Sequence, residues 1–206
     1  MILTKKQLKF YLLADKIMAE PETLPLFVKI IRNILPPPIL HYLRHMRYCS
    51  YYSRKRGAFY KMLFFYHFWR YKSLGLKLGF SIGYNVFGYG LHIPHYGTIV
   101  VNGDCKIGNY CVLHTCTCIG GAGKIIGDGL YVGTGAKIMG KIKLGDNVSI
   151  ASQSLVNKSF DEDDILLAGM PAIVKKKRPA WYVAEGGSYQ RKVEKIERLK
   201  IKYGIK

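Results

Sequence analysis

The sequence predicts a mainly β chain: a parallel β-helix of hexapeptide repeats, preceded by an α-helical region and followed by a basic extension. Three observations predict it. Aliphatic residues recur every six positions, as Val101, Ile107, Leu113 and Ile119, and then as Ile126, Val132, Ile138, Leu144, Ile150 and Val156. Small or apolar residues recur four places after many of them, as Cys105, Cys111, Thr117, Leu130, Ala136, Ile142, Val148 and Ser154. Glycine or alanine often follows the first aliphatic, as at Gly108, Gly120, Gly127, Gly133, Gly145 and Ala151. This period fits neither an amphipathic helix nor a half-buried alternating strand. It marks short strands separated by tight corners and stacked coil on coil. Stacking makes the aliphatics one continuous core and covers each strand edge with the next coil. At the corners, glycine relieves backbone constraint.

The elements follow in order. Residues 2–20 read as a helix with Leu8, Leu12, Leu13 and Ile17 on one face. A second helix over residues 24–35 is stopped by Pro36, Pro37 and Pro38. Residues 39–52 and 59–76 read as two more, and residues 44–78 interleave Arg and Lys with Tyr, Phe and Trp. The array itself starts with an early copy, Ile82 to Phe87, and one inserted residue between Ile119 and Ile126 lengthens a glycine-rich stretch. A short helix over residues 191–202, with Val193, Ile196 and Leu199, ends the chain; it packs on a neighbouring subunit or stays mobile. The organisation expected is therefore 1–78 helical and basic, 79–172 β-helix, and 173–206 basic extension.

Charge divides along the same lines. The 206 residues carry 32 Lys and Arg against 13 Asp and Glu, a formal net charge of +19. By segment the net charge is +12, −1 and +8, so the repeat is near neutral and any anionic partner belongs to the flanks. A helical cap that assembles the oligomer and a membrane-surface contact both fit the N-terminal segment. Nucleic acid ranks last as a partner, since no recognised binding motif supports it, and none is expected. No apolar run is long enough to span a bilayer, and no cleavable leader is recognisable. Five cysteines without a Cys-x-x-Cys pair exclude a disulfide framework and a zinc site. The expectation is a cytoplasmic protein with reduced thiols and no metal, with peripheral contact at the inner membrane surface.

Four stretches carry a family resemblance: Gly-Leu-His-Ile-Pro-His-Tyr-Gly-Thr-Ile-Val-Val (90–101), Ile-Gly-Gly-Ala-Gly-Lys (119–124), Val-Gly-Thr-Gly-Ala-Lys-Ile-Met-Gly (132–140) and Leu-Ala-Gly-Met-Pro-Ala (167–172). Through them residues 79–177 resemble the hexapeptide acyltransferases, most closely the serine acetyltransferase branch. The resemblance implies a left-handed parallel β-helix built as a homotrimer, with acetyl-CoA as cosubstrate. It implies that His95 is the general base that deprotonates the acceptor hydroxyl, a role suited to imidazole. His114 lies about one coil further on and either binds the acceptor, orients His95 or is structural; His92 reads as structural. Gly120 and Gly121 are candidate oxyanion donors through their backbone N–H groups. Gly133, Ala151 and Gly169 are spaced by 18 residues each, which stacks them into a groove for the extended pantetheine arm. Lys175 and the basic residues after it face the coenzyme phosphates as point charges.

Departures matter as well. The serine enzymes carry an aspartate just before the catalytic histidine, where this chain has Pro94, and another further upstream, where it has Phe80. Their longer loop with an Arg-His pair is also missing here, since Lys124 runs directly into Ile125. His95 is left without a carboxylate partner; Asn85 or a backbone carbonyl is the substitute at hand. These departures, together with the run Gly88 to Val101, resemble the O-acetyltransferases of capsule and exopolysaccharide biosynthesis. A sugar or polysaccharide hydroxyl is therefore the expected acceptor. The alternatives are serine O-acetylation and a non-catalytic, membrane-associated β-helix scaffold.

Overall fold

The structure, a computed structural model, describes residues 2–121 and 123–205; Met1, Lys206 and Ala122 in the glycine-rich stretch lie outside the described residues. The repeat folds as a parallel solenoid of about five turns with three faces. The first face stacks Phe80–Ile82 (β1), Ile99–Val101 (β2), Thr117–Ile119 (β5), Lys137–Ile138 (β8) and Leu155–Val156 (β11). The second stacks Lys106–Ile107 (β3), Ile125–Ile126 (β6) and Lys143–Leu144 (β9), extended by bridges at Phe87 and Phe160. The third stacks Val112–Leu113 (β4), Tyr131–Val132 (β7), Ser149–Ile150 (β10) and Ile165–Gly169 (β12), with a bridge at His92 below. Ala172–Lys177 (β13) folds back antiparallel on β12 and closes the stack. All ten periodic aliphatics are at most 5% exposed, and so are the eight residues of the second series. The insertion falls where the spacing places it, between β5 and β6 at the first corner.

The second corner, between the second and third faces, gives its glycines a different cause from the one expected. Asn109, Asp128, Asp146 and Asp163 form a ladder in which each side-chain oxygen accepts from a backbone N–H one coil earlier, at 3.1, 2.8, 2.7 and 2.6 Å. A Cβ on Gly108 or Gly127 would lie 2.1 or 2.0 Å from the Oδ1 of the neighbouring aspartate. Glycine is required there because the ladder side chain fills the space, not because the backbone is left-handed.

Six helices flank the solenoid: Lys5–Ala19 (α1), Leu26–Ile34 (α2), Pro38–Tyr52 (α3), Ala58–Leu78 (α4), Trp181–Ala184 (α5) and Gly187–Lys202 (α6). α1 opens with a capping box between Thr4 and Gln7. Its buried face is not the predicted one. Leu8 is buried, but Leu12, Leu13 and Ile17 are only half-buried, while Phe10, Ala14 and Met18 point inward with Asp15. The reason is a partner invisible in local sequence: α6 packs along α1 within the same chain. Lys192 Nζ donates to Met18 O at 3.1 Å, Arg191 pairs with Glu22 at 2.7 Å, and Val193 and Ile196 are buried. The tail therefore docks on its own chain. α3 and α4 continue the solenoid core, with Tyr42, Leu43, Met46, Cys49 and Tyr71 packed in one cluster with Phe80 and Ile82.

Arg47 locks these parts together. Its guanidinium donates to Asp15 (2.7 and 3.1 Å), Phe87 O (2.8 Å) and Gly88 O (2.6 Å), and Asp15 also accepts from Leu91 N–H at 3.1 Å. Both side chains are at most 2% exposed.

A chain of three histidines joins α3 to α4. His45 Nδ1 lies 2.8 Å from His67 Nδ1, and His45 Nε2 lies 3.0 Å from His41 Nε2. Burial first, then the neighbouring histidines and Arg70 and Arg44, pushes His45 down to about 3; burial pushes His67 down to about 4. The folded state thus holds both neutral, whereas the unfolded chain takes up protons near the ordinary value of 6.5. Stability is full above that value and falls as pH drops below it. Acidification from neutral pH to about pH 5 is expected to lower the urea midpoint. A midpoint unchanged in His45→Gln relative to wild type on acidification would assign the sensitivity elsewhere.

Candidate active site

The third corner, between the third face and the first, gathers the chemistry-bearing residues. His114 N–H donates to Val132 O at 3.1 Å, Gly133 N–H to Ile150 O at 2.9 Å, and Ala151 N–H to Leu167 O at 2.9 Å. This register stacks His114, Gly133 and Ala151 in one column. The last member is Ala168, not Gly169. The final coil is a residue shorter than the spacing assumed, because Ile150 pairs with Leu167, so Gly169 lies one place on with its N–H on Ser154 Oγ at 3.2 Å. A Cβ on Gly133 would sit 2.7 Å from Ser152 N and 2.9 Å from Ile150 O, so the backbone of the next coil fills the space where a side chain would lie.

His95 stands at the lower end of this corner. His92 is bridged to Val112 and Ile99 is paired with Thr117, so six residues separate the two at the His95 corner where four do at the next. The two extra residues push out a loop on which His95 and Tyr96 are exposed. Period counting missed this lengthening because the array has no aliphatic at the required place. His92, His95 and His114 lie close enough for their charges to oppose one another. Burial first, then Lys192 and the other two imidazoles, pushes His92 down to about 4. His92 is 8% exposed; its Nδ1 has no hydrogen-bond partner and its Nε2 lies 3.4 Å from the Tyr189 hydroxyl. His114 is lowered by burial, opposed by the carboxylate of Glu185.

Residues from the C-terminal extension line this corner, and sequence reasoning did not place them. Trp181 lies nearly parallel to His92, with centroids 6.4 Å apart, and its indole N–H donates to Tyr110 O at 2.8 Å. Tyr131 packs against His114 at 5.1 Å. Arg178 lies 5.5 Å from the Tyr131 ring centre and 3.9 Å from Glu185. No short-range spacing could signal these contacts, because they join residues far apart in sequence.

Other predicted site residues lie elsewhere. Gly120 and Gly121 sit at the first corner, on the far side of the first face. The Gly120 N–H is spent on Ile138 O at 3.0 Å, so within its own chain it is not an oxyanion donor. Lys124, fully buried, donates to the carbonyls of both glycines. Asn85 accepts from Ser50 Oγ at 2.7 Å and so does not orient His95. Lys175 is exposed on β13 at an irregularity: Leu166 pairs with Lys176 and Leu167 with Val174, leaving Lys175 unpaired in the ladder. Lys177 is held by Glu162 at 3.2 Å. Among the described residues, no His, Cys, Asp and Glu cluster is arranged to hold a metal ion, and no helix is long and apolar enough to cross a membrane.

No protein-family model matches the chain. The serine acetyltransferase of Synechococcus elongatus is 32% identical over 94 residues, covering 42% of this chain and 38% of its own length. The chain thus spans less than half of that relative. Among solved structures, the serine acetyltransferase of Neisseria gonorrhoeae superposes with a TM-score of 0.62 at 22% identity, covering 88% of this chain and 69% of that one. A serine acetyltransferase in complex with CoA superposes with a TM-score of 0.55 at 19% identity, covering 81% and 82%. The structural likeness establishes the fold: a parallel solenoid behind an N-terminal helical region.

Proposed function

We propose that the chain is an acetyl-CoA-dependent O-acetyltransferase with His95 as general base. The observation that carries this reading is the exposed imidazole of His95 on a lengthened loop, at the corner where His114 stacks in register with Gly133 and Ala151. The imidazole takes the proton of the acceptor hydroxyl as its oxygen attacks the thioester carbonyl. The tetrahedral intermediate then collapses, the C–S bond breaks, and the imidazolium returns its proton to the departing thiolate. An acetyl ester and free CoA result. Gly133 and Ala151 carry little or no side chain at this corner, which suits an extended pantetheine arm laid along the backbone, and Lys175, exposed on the strand after the last coil, suits the phosphates. The assembly is a homotrimer in this reading. The first and third corners lie apart within one chain, so a site that uses the Gly120–Gly121 turn as well as His95 needs two copies.

The acceptor is a hydroxyl of a sugar or polysaccharide intermediate. Pro94 and Phe80 stand where the serine enzymes place carboxylates, so those two anions are missing, and the carboxylate that does reach this corner, Glu185, lies 3.9 Å from Arg178. The relatives favour the second reading, serine O-acetylation, since the curated relative named above is a serine acetyltransferase. Release of CoA thiol with serine, set beside a panel of free and nucleotide-linked sugars, separates the two. Turnover is expected with a sugar and not with serine; robust turnover of serine alone replaces the sugar reading.

A further inference from the structure

Two helices of the N-terminal region turn apolar faces outward. In α2, Leu26, Phe27, Ile30, Ile31 and Ile34 are between 52% and 74% exposed, while Asn33 accepts a hydrogen bond from Lys16 of α1. Val28 and Arg32 on its other side are half-buried, so the helix turns its greasy side out, the reverse of an ordinary surface helix. In α4, Phe59, Met62, Phe65 and Trp69 are between 59% and 64% exposed, although Phe64, Phe68 and Leu74 on the other side already pack on the solenoid core. A helix that is apolar on both sides is normally covered on both sides.

The surrounding charge says what covers it. From residue 23 to residue 103 the sequence contains no Asp or Glu, while 11 Lys and Arg fall between residues 23 and 78. Arg70 lies 5.9 Å from the Trp69 ring centre, and Lys72 lies 5.6 Å from that of Phe68. A long cationic side chain beside an exposed indole, as Arg70 is beside Trp69, suits the boundary between headgroups and acyl chains, where the stem lies along apolar surface and the charge meets phosphate. A symmetric contact between two such faces would set cation against cation with no carboxylate of this segment to pair. A nucleic acid would satisfy the cations but not the aliphatic face of α2. We infer that the outward faces of α2 and α4 dock on an anionic membrane surface.

The chain provides its own reporter. Of its two tryptophans, Trp69 is 63% exposed and Trp181 is 1% exposed, so a change in emission on docking reports Trp69. The full chain is mixed with vesicles of phosphatidylglycerol and phosphatidylcholine, and with vesicles of phosphatidylcholine alone. Co-sedimentation and a blue shift are expected with the anionic vesicles, weakening with salt. Paired substitution Ile30→Asp and Ile34→Asp, or Phe65→Ser and Met62→Ser, is expected to reduce binding about tenfold or more, with the particle mass by light scattering unchanged. Three results overturn the inference: no sedimentation with anionic vesicles, variants whose mass falls below that of wild type (a face between copies), or binding to an RNA oligonucleotide with no binding to vesicles.

Discussion

Replacing Arg47 with methionine is expected to destabilise the protein by about 3–5 kcal/mol, read as a lowered denaturant midpoint. The guanidinium is buried and satisfies Asp15 and the carbonyls of Phe87 and Gly88 together. Removing it leaves a buried carboxylate whose remaining donor is the Leu91 N–H and strips both carbonyls of a charged donor. Asp15→Asn is expected to cost less than Arg47→Met, because an amide oxygen still accepts from Leu91. The double variant Asp15→Leu, Arg47→Met should recover part of the loss, since it buries no orphan charge. A double variant as weak as the sum of the singles would mean that the pair acts through packing alone. Because Asp15 is on α1, Arg47 on α3 and Phe87 in the first coil, the effect reaches the docking of the whole helical region on the solenoid.

His95→Ala is expected to lower kcat/KM about 100- to 10,000-fold, the usual contribution of a positioned general base. The side chain is exposed, so the melting temperature should not move. His114→Gln separates the two histidines of the corner. It keeps a polar side chain beside Tyr131 and should fall well short of the His95 effect; an equal loss would make the base a pair and not a single imidazole.

Much of the fold was legible because a stacked coil repeats one local constraint. Val132, Ile138 and Leu144 each mark their strand from spacing alone, and the single slip between Ile119 and Ile126 placed the first-corner insertion. Legibility failed where the period breaks or where distant segments meet. The lengthened His95 corner has no aliphatic to mark it. The shortened final coil moved the column from Gly169 to Ala168. Glu185, Trp181 and Tyr189 reach the histidines only because α5 and α6 fold back over the third face, and the same packing turned Phe10, Ala14 and Met18 inward instead of Leu12 and Leu13. Nothing in the local sequence marks Asp15 and Arg47 for burial, which follows from how α1, α3 and the first coil meet. Candidate residues within the array, His114, Gly133 and Ala151, fell in register. Those chosen from outside the corner, Gly120 and Asn85, did not.

The account rests most directly on one comparison: acetyl-CoA titrated calorimetrically into wild type and into His95→Asn, with CoA release followed in the presence of the acceptor panel. Both proteins should bind acetyl-CoA alike, and only wild type should release CoA at an appreciable acceptor-dependent rate. Release by His95→Asn at the wild-type rate, or no acetyl-CoA binding by either protein, would contradict it.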